Sequence, residues 1–176
     1  MDIRIQKTEA AIKNAFMELR SQKSVEKITV KELCQRAQIN KSTFYTHYED
    51  IYDLSDAMQA ETIAFVLGTI SQGEWSVQEP GALTRAIFQA ITAHRSLING
   101  LFSTRERPRL ASALETGVKE MIYQKYPELR EDVEKSILLS FSIQGSYHAY
   151  LSHQDVDEEK LVAVVERISS TLRPLY

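Results

Sequence analysis

The stretch from Thr29 to Tyr48 reads TVKELCQRA, then QIN, then KSTFYTHY. Its apolar residues recur at spacings of three and four rather than two, which is the period of a helix and not of a strand. Val30, Leu33, Cys34 and Ala37 line one face of a short helix over 30–37. Thr29 stands at the N-cap position and Glu32 three places on. Together they form a capping box, in which Thr29 accepts from the amide of Glu32 and Glu32 reaches back to the amide of Thr29. Gln38 and Ile39 make a turn. Asn40 is a good N-cap for a second short helix over 41–47, with Ile39, Phe44 and Tyr48 facing inward. Two short capped helices three residues apart have the length pattern of a helix-turn-helix. The first braces the second. The second exposes Lys41, Ser42, Thr43, Tyr45, Thr46 and His47, all donors and none acidic. The free amides at its start favour phosphate, and Lys, Ser and Thr suit base edges in a major groove. A small helical hairpin with a polar outer face is the plainer alternative.

Outward from this segment the same period continues in both directions. A first helix over 3–21 carries Ile5, Ile12, Phe16 and Leu19, and Ser24–Lys27 breaks the pattern after it. Asp50 is the next N-cap, and Asp53 adds acid to the first turn of a fourth helix over 51–71, which carries Ile51, Leu54, Met58, Phe65 and Ile70. Gly73 and the Pro80-Gly81 pair mark a break. Further helices are expected over 81–94, 95–103, 108–125, 128–152 and 157–173. Pro108 suits the first turn of one of them, and Pro127 ends it. The eighth carries Leu129, Val133, Ile137, Phe141 and His148, and the ninth Leu161, Val164, Val165, Ile168 and Leu172. No repeat of 20–50 residues is present. The expected fold class is all-α with about nine helices.

Composition excludes several classes. The chain has 176 residues, 43% hydrophobic and 26% charged, which is ordinary for a globular protein. Six glycines and four prolines rule out collagen-like and low-complexity readings. The lone Cys34 cannot form an internal disulfide or a multi-cysteine zinc site; on the apolar face of its helix it reads as core. No apolar run approaches a membrane span, and the first residues, MDIRIQKTEAAIK, contain no signal-peptide core. The expected compartment is cytoplasmic. The net charge of −3 is unevenly spread. Residues 1–41 hold nine Lys and Arg against five acids, residues 42–84 hold seven acids and no Lys or Arg, and residues 85–176 hold twelve of each. A basic end on a mildly acidic chain can meet a polyanion locally while the rest is repelled.

The ordered set Thr29, Val30, Leu33, Ala37, Ile39, Lys41, Thr43, Phe44, Tyr45, His47, Tyr48, Tyr52, Asp53 and Leu54 resembles the signature of TetR-family transcriptional regulators. The match covers about residues 5–54, and the segment ITAHRSLINGLFS over 91–103 looks like one of the family's short C-terminal variants. The resemblance implies a helix-turn-helix DNA-binding domain over 1–50. It further implies a helical ligand-binding and dimerisation domain over 51–176. It implies that helix 30–37 lies across the DNA backbone, with Thr29 capping it and touching a phosphate. Helix 41–47 would be the recognition helix, with Lys41, Ser42 and Thr43 at base edges and flanking phosphates, and Tyr45 and His47 on phosphates. Phe44 and Tyr48 would be core. Two positions depart from the family pattern. The usual turn glycine is Gln38, which costs about 1 kcal/mol if that position needs a positive φ. The usual phosphate-contacting lysine at the start of the fourth helix is Ile51, so the backbone grip falls to Lys27, Lys31, Arg36, Lys41, Arg4 and Lys7.

A short recognition helix reads few base pairs, so a homodimer on a palindromic duplex is expected. Its surface would come from helices 8 and 9 through Ile137, Phe141, Gly145, Leu161, Val165, Ile168 and Leu172, packed as a four-helix bundle. Phe65, Phe88, Ile91, Phe102, Met121, Phe141, Gln144, Tyr147 and His148 are the candidates for lining a cavity for a small apolar effector; a filled core is the alternative. Arg105, Arg107 and Arg109 stand in one short stretch, which either binds an anion or is simply solvated. The four histidines lack metal spacing, and no phosphate loop, nucleophile elbow or acid–base pair is present. Neither a cofactor, a metal nor an enzyme activity is expected. The leading expectation is a DNA-binding regulator, a homodimeric repressor released by a small molecule. The alternative is a helical interaction protein or co-regulator that acts through a partner, with weak or no DNA binding of its own.

Overall fold

In the computed structural model of the chain, residues 3–172 are described. Among them every regular element is helical: α1 (Ile3–Arg20), α2 (Val30–Ala37), α3 (Lys41–Tyr45), α4 (Ile51–Gln72), α5 (Pro80–Ala93), α6 (Arg95–Leu101), α7 (Arg107–Lys125), α8 (Val133–Ser152) and α9 (Glu158–Thr171). Single 3-10 turns cover Val25–Lys27 and Pro127–Arg130. None of these helices is long and apolar enough to cross a membrane. The end expected for the ninth helix, residue 173, lies outside the described residues. The chain divides into two compact units, one of residues up to 62 with 96–103, the other of 63–95 with the residues from 104 on.

The first unit is built on a small apolar core. Ile12, Phe16, Leu19, Leu33, Phe44 and Leu54 are fully buried, each contributing roughly 1.5–3 kcal/mol of burial. Ile5, expected on the inner face of α1, is exposed instead, and Ala15 takes a buried place beside Phe16. The unit runs past residue 50 because the first three turns of α4 belong to its core. Met58 is buried, and the buried Gln59 amide donates to the Leu101 carbonyl at 3.2 Å. That carbonyl also accepts from Arg20 at 3.3 Å. Two donors thus satisfy the C-terminal end of α6, where helix carbonyls otherwise go unpaired.

The second unit packs α5 on α9 and α8, and α7 on α8. Gly81 lets α5 approach α9 closely, since a Cβ there would stand 2.5 Å from the Ser170 hydroxyl. Beside it the buried Thr84 hydroxyl donates to that of Ser169 at 2.9 Å, and Arg85 pairs with Glu166. The eighth helix starts at Val133 rather than 128. Asp132 caps it, its carboxylate accepting from the Lys135 amide at 3.0 Å, a better start than the residues after Pro127 offer. Its buried face is Leu139, Ile143, Ser146, Tyr147 and Tyr150. Val133, Ile137 and Phe141 point away from that core and are 72%, 65% and 65% exposed.

Candidate nucleic-acid interface and small-molecule cavity

One of the local caps the sequence calls for holds the start of α2, whereas the Asn40 side chain, expected to cap α3, makes no cap bond. The Thr29 hydroxyl accepts from the Glu32 amide at 3.3 Å, leaving its own O–H free to donate outward. Glu32 departs from the expected capping box: its carboxylate pairs with Lys23 instead of the Thr29 amide. A related reciprocal pairing occurs at the start of α4. Asp50 accepts from the amides of Tyr52 and Asp53 at 2.7 and 2.8 Å, and Asp53 accepts from the Glu49 amide at 2.9 Å. Asp50 and Asp53 are thus turned onto the first turn of α4, where the helix dipole favours them.

Gln38 is the one non-glycine residue of positive φ among the described residues, at φ 55° and ψ 43°. Its amide bonds the Gln35 carbonyl at 3.4 Å, and that of Ile39 bonds the Cys34 carbonyl at 3.0 Å. These are the two bonds of a Schellman ending, with glutamine where glycine is usual. The turn delivers Asn40 in an extended conformation, and α3 begins.

α3 is shorter than expected. It ends at Tyr45 because the Thr46 hydroxyl donates to the Thr43 carbonyl at 2.6 Å and tightens the last turn. Phe44 and Tyr48 are buried with ring centroids 5.9 Å apart, fixing the rotation of the helix about its axis. Opposite them Lys41, Ser42, Tyr45 and Thr46 are exposed, and Thr43 and His47 half-buried. Tyr45 is 56% exposed, with its ring edge-on to Phe44 at 5.5 Å. Burial pushes the Cys34 thiol up, and the nearby Lys41 charge pulls against it. Thr29 and Lys31 are exposed at the start of α2.

The cations differ in availability. Arg36 pairs with Glu18 at 2.9 Å, whereas Lys7, Lys27, Lys31 and Lys41 are exposed without an acid partner among the described residues. Ile51 is buried, so the position where the family carries a lysine supplies core here.

The residues expected to line one effector cavity separate. Phe88 and Ile91 are packed in the core of the second unit, and Phe102 is buried in the first. Phe65 is 54% exposed, with its ring stacked on His94, and Phe141 is exposed on α8. Met121 lines a different groove, beside Trp75 and Lys125. Gln144, Tyr147 and His148 do come together. With Leu151 of α8 and Thr104, Arg107, Pro108 and Ala111 at the start of α7, they line a half-open cavity of about 490 Å³. The sequence reading misses the α7 side of this cavity. Its signal is the helical spacing of residues 104, 107, 108 and 111, which matches that of 144, 147, 148 and 151.

Of the residues expected at a dimer surface, Ile137, Phe141, Gly145 and Ile168 are exposed, Leu172 is half-buried, and Leu161 and Val165 are buried. A Cβ on Gly145 would meet nothing. Leu161, Val165 and Ile168 line an apolar groove of about 290 Å³ with Ala149, Val156 and Val164.

No family model matches the chain, and no curated protein matches it. Solved structures do. A TetR transcriptional regulator from Streptococcus agalactiae 2603V is 26% identical with a TM-score of 0.61, covering 95% of this chain and 96% of its own. A TetR/AcrR-family transcriptional regulator from Aquifex aeolicus VF5 is 14% identical with a TM-score of 0.62, covering 96% and 99%. A TetR-family transcription regulator from Marinobacter aquaeolei VT8 is 16% identical with a TM-score of 0.51, covering 97% of each chain. The last two likenesses are of fold alone. A donor-lined α3 after a Schellman turn, a helical second unit and a match over nearly the full length agree: the chain has the fold of TetR-family transcriptional regulators.

Proposed function

We propose that the chain is a DNA-binding transcriptional repressor that acts as a homodimer on a palindromic operator and is released by a small molecule. The observation that carries this reading is the outer face of α3: Lys41, Ser42, Tyr45 and Thr46 exposed, with Phe44 and Tyr48 buried behind them. Residues 1–50 read DNA, and residues 51–176 bind the effector and the second copy. Lys41, Ser42 and Thr43 approach bases and flanking phosphates; Thr29, Lys31, Tyr45 and His47 hold phosphates. The exposed apolar row Val133, Ile137 and Phe141, with Ile168 of α9, supports a dimer surface on α8 and α9. The workplace is the cytoplasm, where the DNA is.

The buried Ile51 and the Arg36–Glu18 pair favour a second reading, a co-regulator that acts through a protein partner. Fluorescence anisotropy with the DNA flanking the chain's own gene, at two salt concentrations, separates the two. Lys27, Lys31 and Lys41 from each of two protomers give about six phosphate contacts, so affinity falls about a thousandfold between 50 and 200 mM salt. Lys41→Ala with Tyr45→Ala abolishes saturable binding to one palindromic segment. Binding that stays at the non-specific level, roughly 10⁻⁴–10⁻⁶ M, and ignores both substitutions leaves an operator elsewhere in the genome or the co-regulator reading.

A further inference from the structure

Tyr147 is only 3% exposed, yet its hydroxyl has no hydrogen-bond partner among the described residues. Buried polar atoms are nearly always bonded, and an orphan costs about 1–3 kcal/mol. This orphan belongs to a residue that lines the 490 Å³ cavity between α7 and α8. The volume falls in the range of small-molecule sites, roughly 300–1,000 Å³. Pro108, Ala111 and Leu151 give the cavity apolar wall, and its polar lining is Thr104, Arg107, Gln144, Tyr147 and His148, without a carboxylate. Burial pushes the Tyr147 phenol up while the charge of Arg107 pulls it down, so the hydroxyl lies within reach of that guanidinium's field. Glu115, which bonds the lining Gln144, accepts from Ser140 and Gln144 at 2.6 and 2.8 Å and does not itself line the cavity. Arg107 opens a helix of 19 residues, whose positive end adds the same sign.

We propose that this cavity binds an amphipathic organic carboxylate, its apolar body against Ala111 and Leu151 and its carboxylate at the Tyr147 hydroxyl and the Arg107 guanidinium. Such a carboxylate is the effector of the repressor proposed above, and its regulatory role rests on that reading.

Isothermal titration of the purified full chain with octanoate and 2-naphthoate tests the cavity, with octanol and octylamine as neutral and cationic controls. At least one carboxylate binds once per chain, octanol binds at least tenfold more weakly than octanoate, and octylamine more weakly still. Tyr147→Phe weakens carboxylate binding about tenfold and Arg107→Gln tenfold or more, as for hydrogen bonds to a charged group. Because the orphaned hydroxyl is a cost to the unliganded fold, the unliganded Tyr147→Phe variant keeps or raises its thermal midpoint, which separates lost binding from lost folding. The proposal is overturned if neither carboxylate binds at millimolar concentration, if octylamine binds as well as octanoate, or if Tyr147→Phe leaves the affinity unchanged. Operator release is read separately by anisotropy. Carboxylate binding that leaves DNA affinity unchanged keeps the cavity assignment and removes the effector reading. Release by a ligand indifferent to Tyr147→Phe does the reverse.

Discussion

Replacing Gln38 by glycine should stabilise the protein, and the turn before α3 sets the size of the effect. At φ 55° and ψ 43° a residue with a Cβ is strained by about 1–2 kcal/mol. Glycine removes that strain but adds freedom to the unfolded chain, an offset of about 0.4–1 kcal/mol. Gln38 is exposed and its side chain makes no hydrogen bond among the described residues, so little else changes. The net gain is about 0.5–1 kcal/mol, or roughly 1–4 °C in Tm for a chain of this size. Gln38→Ala keeps the strain and should match the wild type. Gln38→Pro cannot reach a positive φ and removes the amide bonded to Gln35, so it should cost about 3 kcal/mol or more. Urea midpoints and thermal scans of the four proteins give the order glycine, then glutamine with alanine, then proline far below. An alanine variant as stable as the glycine variant would refute the left-handed turn and, with it, the aim of α3.

Phe141→Glu with Ile137→Glu should convert a dimer to a monomer in sedimentation velocity; a dimer that persists moves the interface off α8. Ile51→Lys should lower the thermal midpoint, because a buried side chain worth about 1.5–3 kcal/mol is lost, while steepening the salt dependence of DNA binding by about two in slope per dimer. An unchanged slope would mean the start of α4 does not face the backbone. Glu115 has its carboxyl held below the ordinary 4.5 by the Ser140 and Gln144 hydrogen bonds and by Lys119, against the opposing effect of burial. Its contribution to stability is therefore full above pH 4.5 and is lost as the pH falls through the lowered value. Urea midpoints of wild type and Glu115→Gln should differ near neutrality and converge in acid; a gap that widens in acid would reverse the sign.

The helix-turn-helix is legible in the sequence because its determinants are local. Thr29, Asp50 and the spacing of Leu33, Phe44 and Tyr48 act within a turn or two of chain, where sequence and contact nearly coincide. Glu32 escapes that reading because Lys23, nine residues back, competes for its carboxylate across a turn that the sequence does not describe. The spacing of α8 does not by itself say which face lies in the core. The helix is apolar on most sides, so periodicity cannot tell Leu139, Ile143 and Tyr147 from Ile137 and Phe141; only the packing of α5 and α7 against it decides. The cavity is half legible. Gln144, Tyr147 and His148 stand out on α8, but their partners lie some forty residues away in an arginine-rich stretch that by itself is equally compatible with solvation.

The burial of Ile51 bears on kinetics as well as on affinity. Non-specific attachment to DNA is almost wholly ionic, so each missing lysine shortens the time a protein spends parked on irrelevant sequence. With Ile51 in the core and Arg36 held by Glu18, fewer cations remain to track the phosphates during sliding. A DNA-binding protein with so few free cations should keep more of its copies unbound and reach a specific site by repeated three-dimensional encounters rather than by long one-dimensional scans.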